Sequence, residues 1–225
     1  MDRKAIKAKA KEFAFSHKWA IWKPILVVAL ISGLISGIIN AFLQIDLTKD
    51  TTVGSLYTVA VQVVLCVLTI GEIYYIRKVI HGKEVSIKED VFHFFPKYVG
   101  VFVPMLALGI ITSISAIVSL ILPGDQIWVS IIVLVVSIAE IIFTFMFVQT
   151  PLILSEDKEE NYGGVTALKM SKEMMDGYKW DYFCFMFSYI GWILLCIFVI
   201  PVIWVIPYIM TGEVMYYEEL KKLNK

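Results

Sequence analysis

Glu140 is the residue most able to do chemistry in this 225-residue chain. It stands in Ser137-Ile138-Ala139-Glu140-Ile141-Ile142-Phe143, near the middle of an apolar run that contains no basic residue. A charge at the centre of a bilayer costs about 2.5–3.5 kcal/mol on insertion scales, so such a residue faces a cavity or the interior of a helix bundle. Two chemistries follow. Glu140 is a proton or cation site, or it is an acid hydrogen-bonded to a neighbouring helix. Glu72, Asn40 and Gln62 lie in other apolar runs. They either join Glu140 in a polar interior or act as ordinary interhelical hydrogen-bond partners, worth about 1 kcal/mol each. Glu72 precedes Arg77 by five residues, and pairing with Arg77 or Lys78 explains it without function.

Other reactive side chains form no recognisable set. His17, His81 and His93 fall in separate connectors, none with an acid or cysteine at metal-ligand spacing. Cys66, Cys184 and Cys196 sit inside apolar runs and read as small core hydrophobes. Ser188 has no accompanying His and Asp, and no glycine-rich phosphate loop is present. No catalytic residue, metal ligand or cofactor site is therefore expected, and the chain reads as non-enzymatic. Its basic residues lack the aromatic interleaving of nucleic-acid binders.

Composition names the elements that must hold these residues. The chain is 59% hydrophobic and only 18% charged, with mean hydropathy +0.77; soluble domains carry about 25% charged residues. Several continuous apolar runs approach the 20 or so residues that cross a hydrocarbon core of about 30 Å. The expected fold class is all-α, a polytopic membrane protein. Continuous rather than alternating runs exclude a β-barrel.

Residues 3–20 read as an amphipathic helix lying in the membrane interface. Lys4, Lys11 and Lys18 recur every seven residues with Lys7 beside them, and Ile6, Phe13 and Ala20 recur opposite. Such a face suits anionic headgroups, so Lys4, Lys7, Lys11 and Lys18 are the expected lipid contacts. Spans are expected at about 23–44, 56–76, 98–122, 127–149, 180–198 and 201–219. The last two come from dividing one long apolar run at Pro201 and Pro207. Between the second and third, Val85, Ile87, Val91, Phe92 and Phe95 can line one side of a short helix, with Lys88, Glu89 and Asp90 opposite. Gly33, Gly37 and Gly191 are expected at close helix–helix approaches, which small residues permit in lipid.

Charge sets the orientation. With six spans and both termini cytoplasmic, every Lys and Arg except Lys49 lies on the cytoplasmic side, as the positive-inside rule requires. Five spans would export Lys221, Lys222 and Lys225. The chain also reads as one integral membrane domain of three similar units, about 3–80, 85–149 and 165–220. Each is an interfacial helix followed by a two-span hairpin, an instance of the internal repetition common in membrane proteins.

Ala167, Ser171, Met175 and Gly177, then Phe187-Ser188-Tyr189-Ile190-Gly191-Trp192, Pro207-Tyr208 and Tyr216-Tyr217-Glu218-Glu219-Leu220, form a C-terminal signature. Together with Arg3, Lys4, Lys7, Ala10 and Lys11 they resemble the uncharacterised bacterial integral membrane family 975 of the domains of unknown function. That family is similar in helical layout to the membrane domain of some glycerophosphodiester phosphodiesterases. The resemblance implies the fold and a bacterial cytoplasmic membrane; it carries no activity, cofactor or substrate. The expected role is contact with lipid, or with a membrane-protein partner or second copy, at the cytoplasmic face. The alternative is a small transporter or proton-coupled permease that uses Glu140.

Overall fold

The computed structural model describes residues 1–43, 51–111, 113–122, 127–162 and 165–224. The side chains of 39–43, 51–64, 116, 119, 120 and 162 lie outside the described set, and with them those of Asn40 and Gln62. The described residues are helical and contain no strand. Among the described residues, four stretches are long and apolar enough to cross a membrane: Arg3–Ile38, Ile87–Ile111, Ile127–Leu154 and Lys179–Phe198.

Helix α1 (Arg3–Leu43) merges the expected surface helix and first span into one element of about 60 Å at 1.5 Å per residue. Its one non-helical residue is His17, with φ −114° and ψ 17°. The stripe it buries is Ile6, Ala10, Ala14 and Ile21, close to the spacing of one helix face. The expected apolar face was set one position off: Phe13 and Ala20 are only half-buried. Alanines occupy the contact because α1 packs along α10 (Val202–Leu223) at close quarters.

Helix α2 (Thr51–Ile80) buries Leu65 through Ile76 on its inner side. Across it passes a single wide helical turn, Ile87–Val91, followed by a tight turn at Phe95–Lys97. The crossing point is Gly71, where any Cβ would collide with the Val91 carbonyl. The amphipathic helix expected here is thus one turn, and its polarity is reversed at Asp90. That carboxylate is buried because it accepts hydrogen bonds from Lys78 Nζ at 2.8 Å and the Ser86 N–H at 2.7 Å. Of the residues expected along its apolar side, Val91 is buried and Phe92 and Phe95 are exposed.

The third expected span is broken. Helix α3 (Tyr98–Ile111) and helix α4 (Ile114–Ile121) are separate elements, the latter packed on α5 (Ile127–Phe147). After α5 comes the one-turn α6 (Thr150–Leu154), then α7 (Thr166–Met174). The C-terminal apolar run forms α8 (Lys179–Phe187), α9 (Ile190–Leu195) and a tight turn at Cys196–Phe198 before α10. Helix α10 continues through Pro207 rather than stopping there. An aromatic core of Tyr182, Phe185, Tyr189, Tyr208 and Tyr216 joins α8 and α9 to α10. Gly212 admits Tyr189, whose hydroxyl occupies the place a Cβ would take.

Candidate functional site

Two adjacent acids, Glu156 and Asp157, organise the end of the bundle where α2, α6 and α10 meet. Their position comes from α6, whose Leu152, Ile153 and Leu154 are buried and whose last turn continues through Ser155, bonded N–H to Pro151 carbonyl at 3.0 Å. Asp157 then adopts φ +55°, a left-handed conformation that Asp tolerates better than most residues. Asn161 Nδ2 donates to the Ile153 carbonyl at 2.8 Å and holds the turn.

The reversal sends the two carboxylates to different partners. Glu156, its side chain 5% exposed, pairs with Arg77 at 3.4 Å and Lys158 at 3.6 Å. It also accepts from Tyr217 Oη at 2.9 Å and from Lys221. Burial pushes this carboxyl up. Lys221, Tyr217 and the Arg77 guanidinium outweigh that and hold it below the usual carboxylate range. Asp157 meets His93 Nε2 at 2.7 Å and Lys97, and the His93 ring stacks on Tyr74 with centroids 4.8 Å apart. Glu218 adds a contact to His81 at 3.2 Å. The hydrogen bond to Asp90 raises the Lys78 ammonium above its ordinary value.

Within this frame lies an open cleft of about 260 Å3, lined by Tyr74, Arg77, Lys78, His81, Lys83, Ser155 and Glu156. Three Lys or Arg and a histidine line it beside the Glu156 carboxylate, with Asp90 on Lys78 and Glu218 on His81 from outside the lining. Such a lining suits an anion carrying several acceptor oxygens, since Arg and Lys together supply directed donors and positive charge.

Glu140, foremost in the sequence, has a different setting. Its Oε1 accepts the backbone N–H of Ser115 at 2.5 Å, in the first turn of α4. The carboxylate therefore caps a helix start created by the break in the third span, where free N–H groups need an acceptor. This is the helix-bonded arrangement, the second of the two chemistries. Glu72 is buried and has no hydrogen-bond or ion-pair partner among the described residues. The expected pairing with Arg77 or Lys78 does not form, because Glu156 and Asp90 hold those cations. Glu72 and Glu140 are not brought together by any described contact.

The lysines of α1 divide. Lys4 is exposed. Lys7 Nζ donates to the Ser188 carbonyl at 2.9 Å and hydroxyl at 2.8 Å, and lies 4.5 Å above the Tyr189 ring. Lys11 sits 5.0 Å over Trp192 and Lys18 4.8 Å over Trp204, all cation–π distances. Among the described residues, a Cβ placed at Gly33, Gly37 or Gly191 meets no atom within 4 Å. Close approaches are seen at Gly71 and Gly212.

Sequence reasoning passed over Glu156, Asp157 and Glu213. The first two lie in Ser-Glu-Asp-Lys-Glu-Glu-Asn, which looks like a solvated connector, and only their cations at distant positions distinguish them. Glu213 lines a cavity of about 90 Å3 with Ile73, Ile76, Tyr182 and Met210; an acid within the Tyr-rich run of α10 was the available signal.

Residues 122–224 match the model of a family described as a protein of unknown function, DUF975. The matched region contains the whole C-terminal signature from Ala167 to Leu220, whereas Arg3 to Lys11 lie outside it. No curated protein and no solved structure matches the chain, and the likeness to glycerophosphodiester phosphodiesterase membrane domains finds no support among these comparisons.

Proposed function

We propose that this chain, whose C-terminal region carries the family match, is a multi-pass protein of a bacterial cytoplasmic membrane with both termini cytoplasmic. It works without catalysis, through contacts with anionic lipid or with a membrane-protein partner at its cytoplasmic face. The observation that supports this reading most is the cleft at the ends of α2 and α6, where Arg77, Lys78, His81 and Lys83 converge. The positive-inside distribution puts these residues on the side of the anionic leaflet. A phosphate-bearing headgroup has the oxygens to use them.

The test is reconstitution of the full chain in nanodiscs of neutral lipid, with and without anionic lipid. Anionic lipid is expected to raise the thermal unfolding temperature, and Lys83→Glu, at the rim of the cleft, is expected to remove at least half of that rise. Equal unfolding temperatures in the two lipid mixtures would refute the reading.

A further inference from the structure

We infer that the hairpin of α8, α9 and α10 is re-entrant: it dips its tip into the cytoplasmic leaflet and returns without crossing the membrane. The inference rests on the membrane reading above and alters the number of crossings from six to four.

Register against α1 carries it. Arg3 pairs with Asp181 at 3.5 Å, Lys7 meets Ser188, and Lys11 lies over Trp192. Trp22 Nε1 donates to the Ile203 carbonyl at 2.9 Å, beside Lys18 over Trp204. The whole hairpin therefore runs beside the first 20 or so residues of α1, and its tip is level with Lys18 to Trp22. Beyond Trp22, α1 continues without a non-helical residue to Leu43, about 30 Å further at 1.5 Å per residue. That extension alone matches the thickness of a hydrocarbon core. The hairpin stops where it begins.

Charge makes the same division. Lys4, Lys9, Lys11 and Glu12 are exposed on the part of α1 that flanks α8 and α9. Were the hairpin to cross, these charges would stand at hydrocarbon depth facing lipid, where charged side chains are strongly disfavoured. The length and apolarity of Lys179–Phe198 satisfy the requirements of a span, but its neighbours do not. The positive-inside count is equally good for four crossings, because the turn between α9 and α10 contains no Lys or Arg.

The tip is built for an apolar phase. Ile197, Phe198, Val199 and Ile200 are each at least 67% exposed. Val199 holds φ +62°, a conformation in which glycine would be unstrained and a β-branched residue is an outlier. Trp19, Trp22 and Trp204 stand around this level with Lys18 and Lys23, the aromatic and basic pattern of a membrane interface.

The inference is tested on the full chain, with Cys66, Cys184 and Cys196 replaced by alanine and single cysteines introduced at Val199→Cys, Ile200→Cys or Thr51→Cys. In spheroplasts a membrane-impermeant maleimide should label Thr51→Cys, while labelling of Val199→Cys and Ile200→Cys should stay below a tenth of that level. In inside-out vesicles, bimane attached at either tip position should be quenched at least twofold by spin-labelled lipid in the accessible leaflet. Tip labelling from outside at the Thr51→Cys level, or no quenching from the cytoplasmic leaflet, would overturn re-entry. Failure to label Thr51→Cys would instead overturn the membrane reading. Two tip positions keep the test decisive if one variant does not fold.

Discussion

Helices α5 and α10 have nearly the same length, 21 and 22 residues, and both are largely apolar, yet they are opposite kinds of helix. Only Val129 of α5 is buried; Ile127, Ile131, Leu134, Val135, Ile138, Ile141, Ile142 and Phe143 face outward all round it. In α10 nine residues are buried, among them Tyr208, Tyr216 and Tyr217. Hydropathy scores what a side chain prefers to leave, which is water. Whether lipid or protein replaces the water is decided by neighbours. Most of α5 is left uncovered by the described protein, whereas α10 is covered by an aromatic protein core.

The comparison can be broken first at the base of α10. Glu156→Ala leaves Arg77, Lys221 and the Tyr217 hydroxyl without their shared acceptor. Breaking a buried pair in this way costs about 3–5 kcal/mol, to be measured as a lower unfolding temperature in detergent. The pH dependence has a fixed sign. The Glu156 carboxyl lies below its ordinary value near 4.5, so its stabilisation is fully present above that value and is lost as pH falls through the lower folded value. Wild type should therefore lose a component of stability below about pH 4.5 that Glu156→Gln lacks.

On α5 the corresponding test is Ile138→Lys, at the middle of the exposed apolar helix. The expected penalty is about 2.5–3.5 kcal/mol in membrane insertion, read as the fraction of chain integrated by the translocon. A penalty near zero would mean that α5 faces water or a partner.

Glycines sharpen the contrast next. Gly212→Ala drives the Tyr189 ring from its place and should destabilise by about 1–3 kcal/mol through overpacking. Gly191→Ala, with open space around it, should change the unfolding temperature little.

The smallest effect is expected at Glu140. Removing the cap of α4 with Glu140→Ala should cost about 1 kcal/mol, and Glu140→Gln, which keeps an acceptor for Ser115, should cost less. A large loss of proton or solute flux in proteoliposomes of Glu140→Gln, with stability intact, would favour the transport reading over lipid or partner contact.

The limits of legibility have physical causes. Both ends of α5 and α10 and the start of α8 were readable because apolar runs, Trp128, Pro201 and the charged tail mark them within a few residues. The end of α8 at Phe187, inside an unbroken apolar run, was not. Glu140 was readable as unusual, since an acid among Ile and Phe is conspicuous in one dimension. Its role was not, because the cap depends on α4 starting afresh after Ser113, which no Pro announces. Asp90 was assigned to solvent because its partners, Lys78 and the Ser86 N–H, approach only after the connector folds back across Gly71. Glu156 and Asp157 were hidden among other charges, and nothing local separates a clamped carboxylate from a solvated one.

By itself the sequence determined that the chain is helical and strongly apolar. Transfer of apolar side chains out of water is a sum over residues, and a 59% hydrophobic chain with its cations gathered in a few connectors carries helices long and apolar enough to cross a membrane. The tertiary structure decided what lies alongside each helix. The run from Lys179 to Phe198 has the composition of a span, and it is paired with the charged first half of α1. It also decided which of twenty acids matter. A carboxylate is held or spared by groups within a few ångströms, and for Glu156 and Asp157 Arg77, Tyr217, Lys221, His93 and Lys97 come from positions 60 or more residues away.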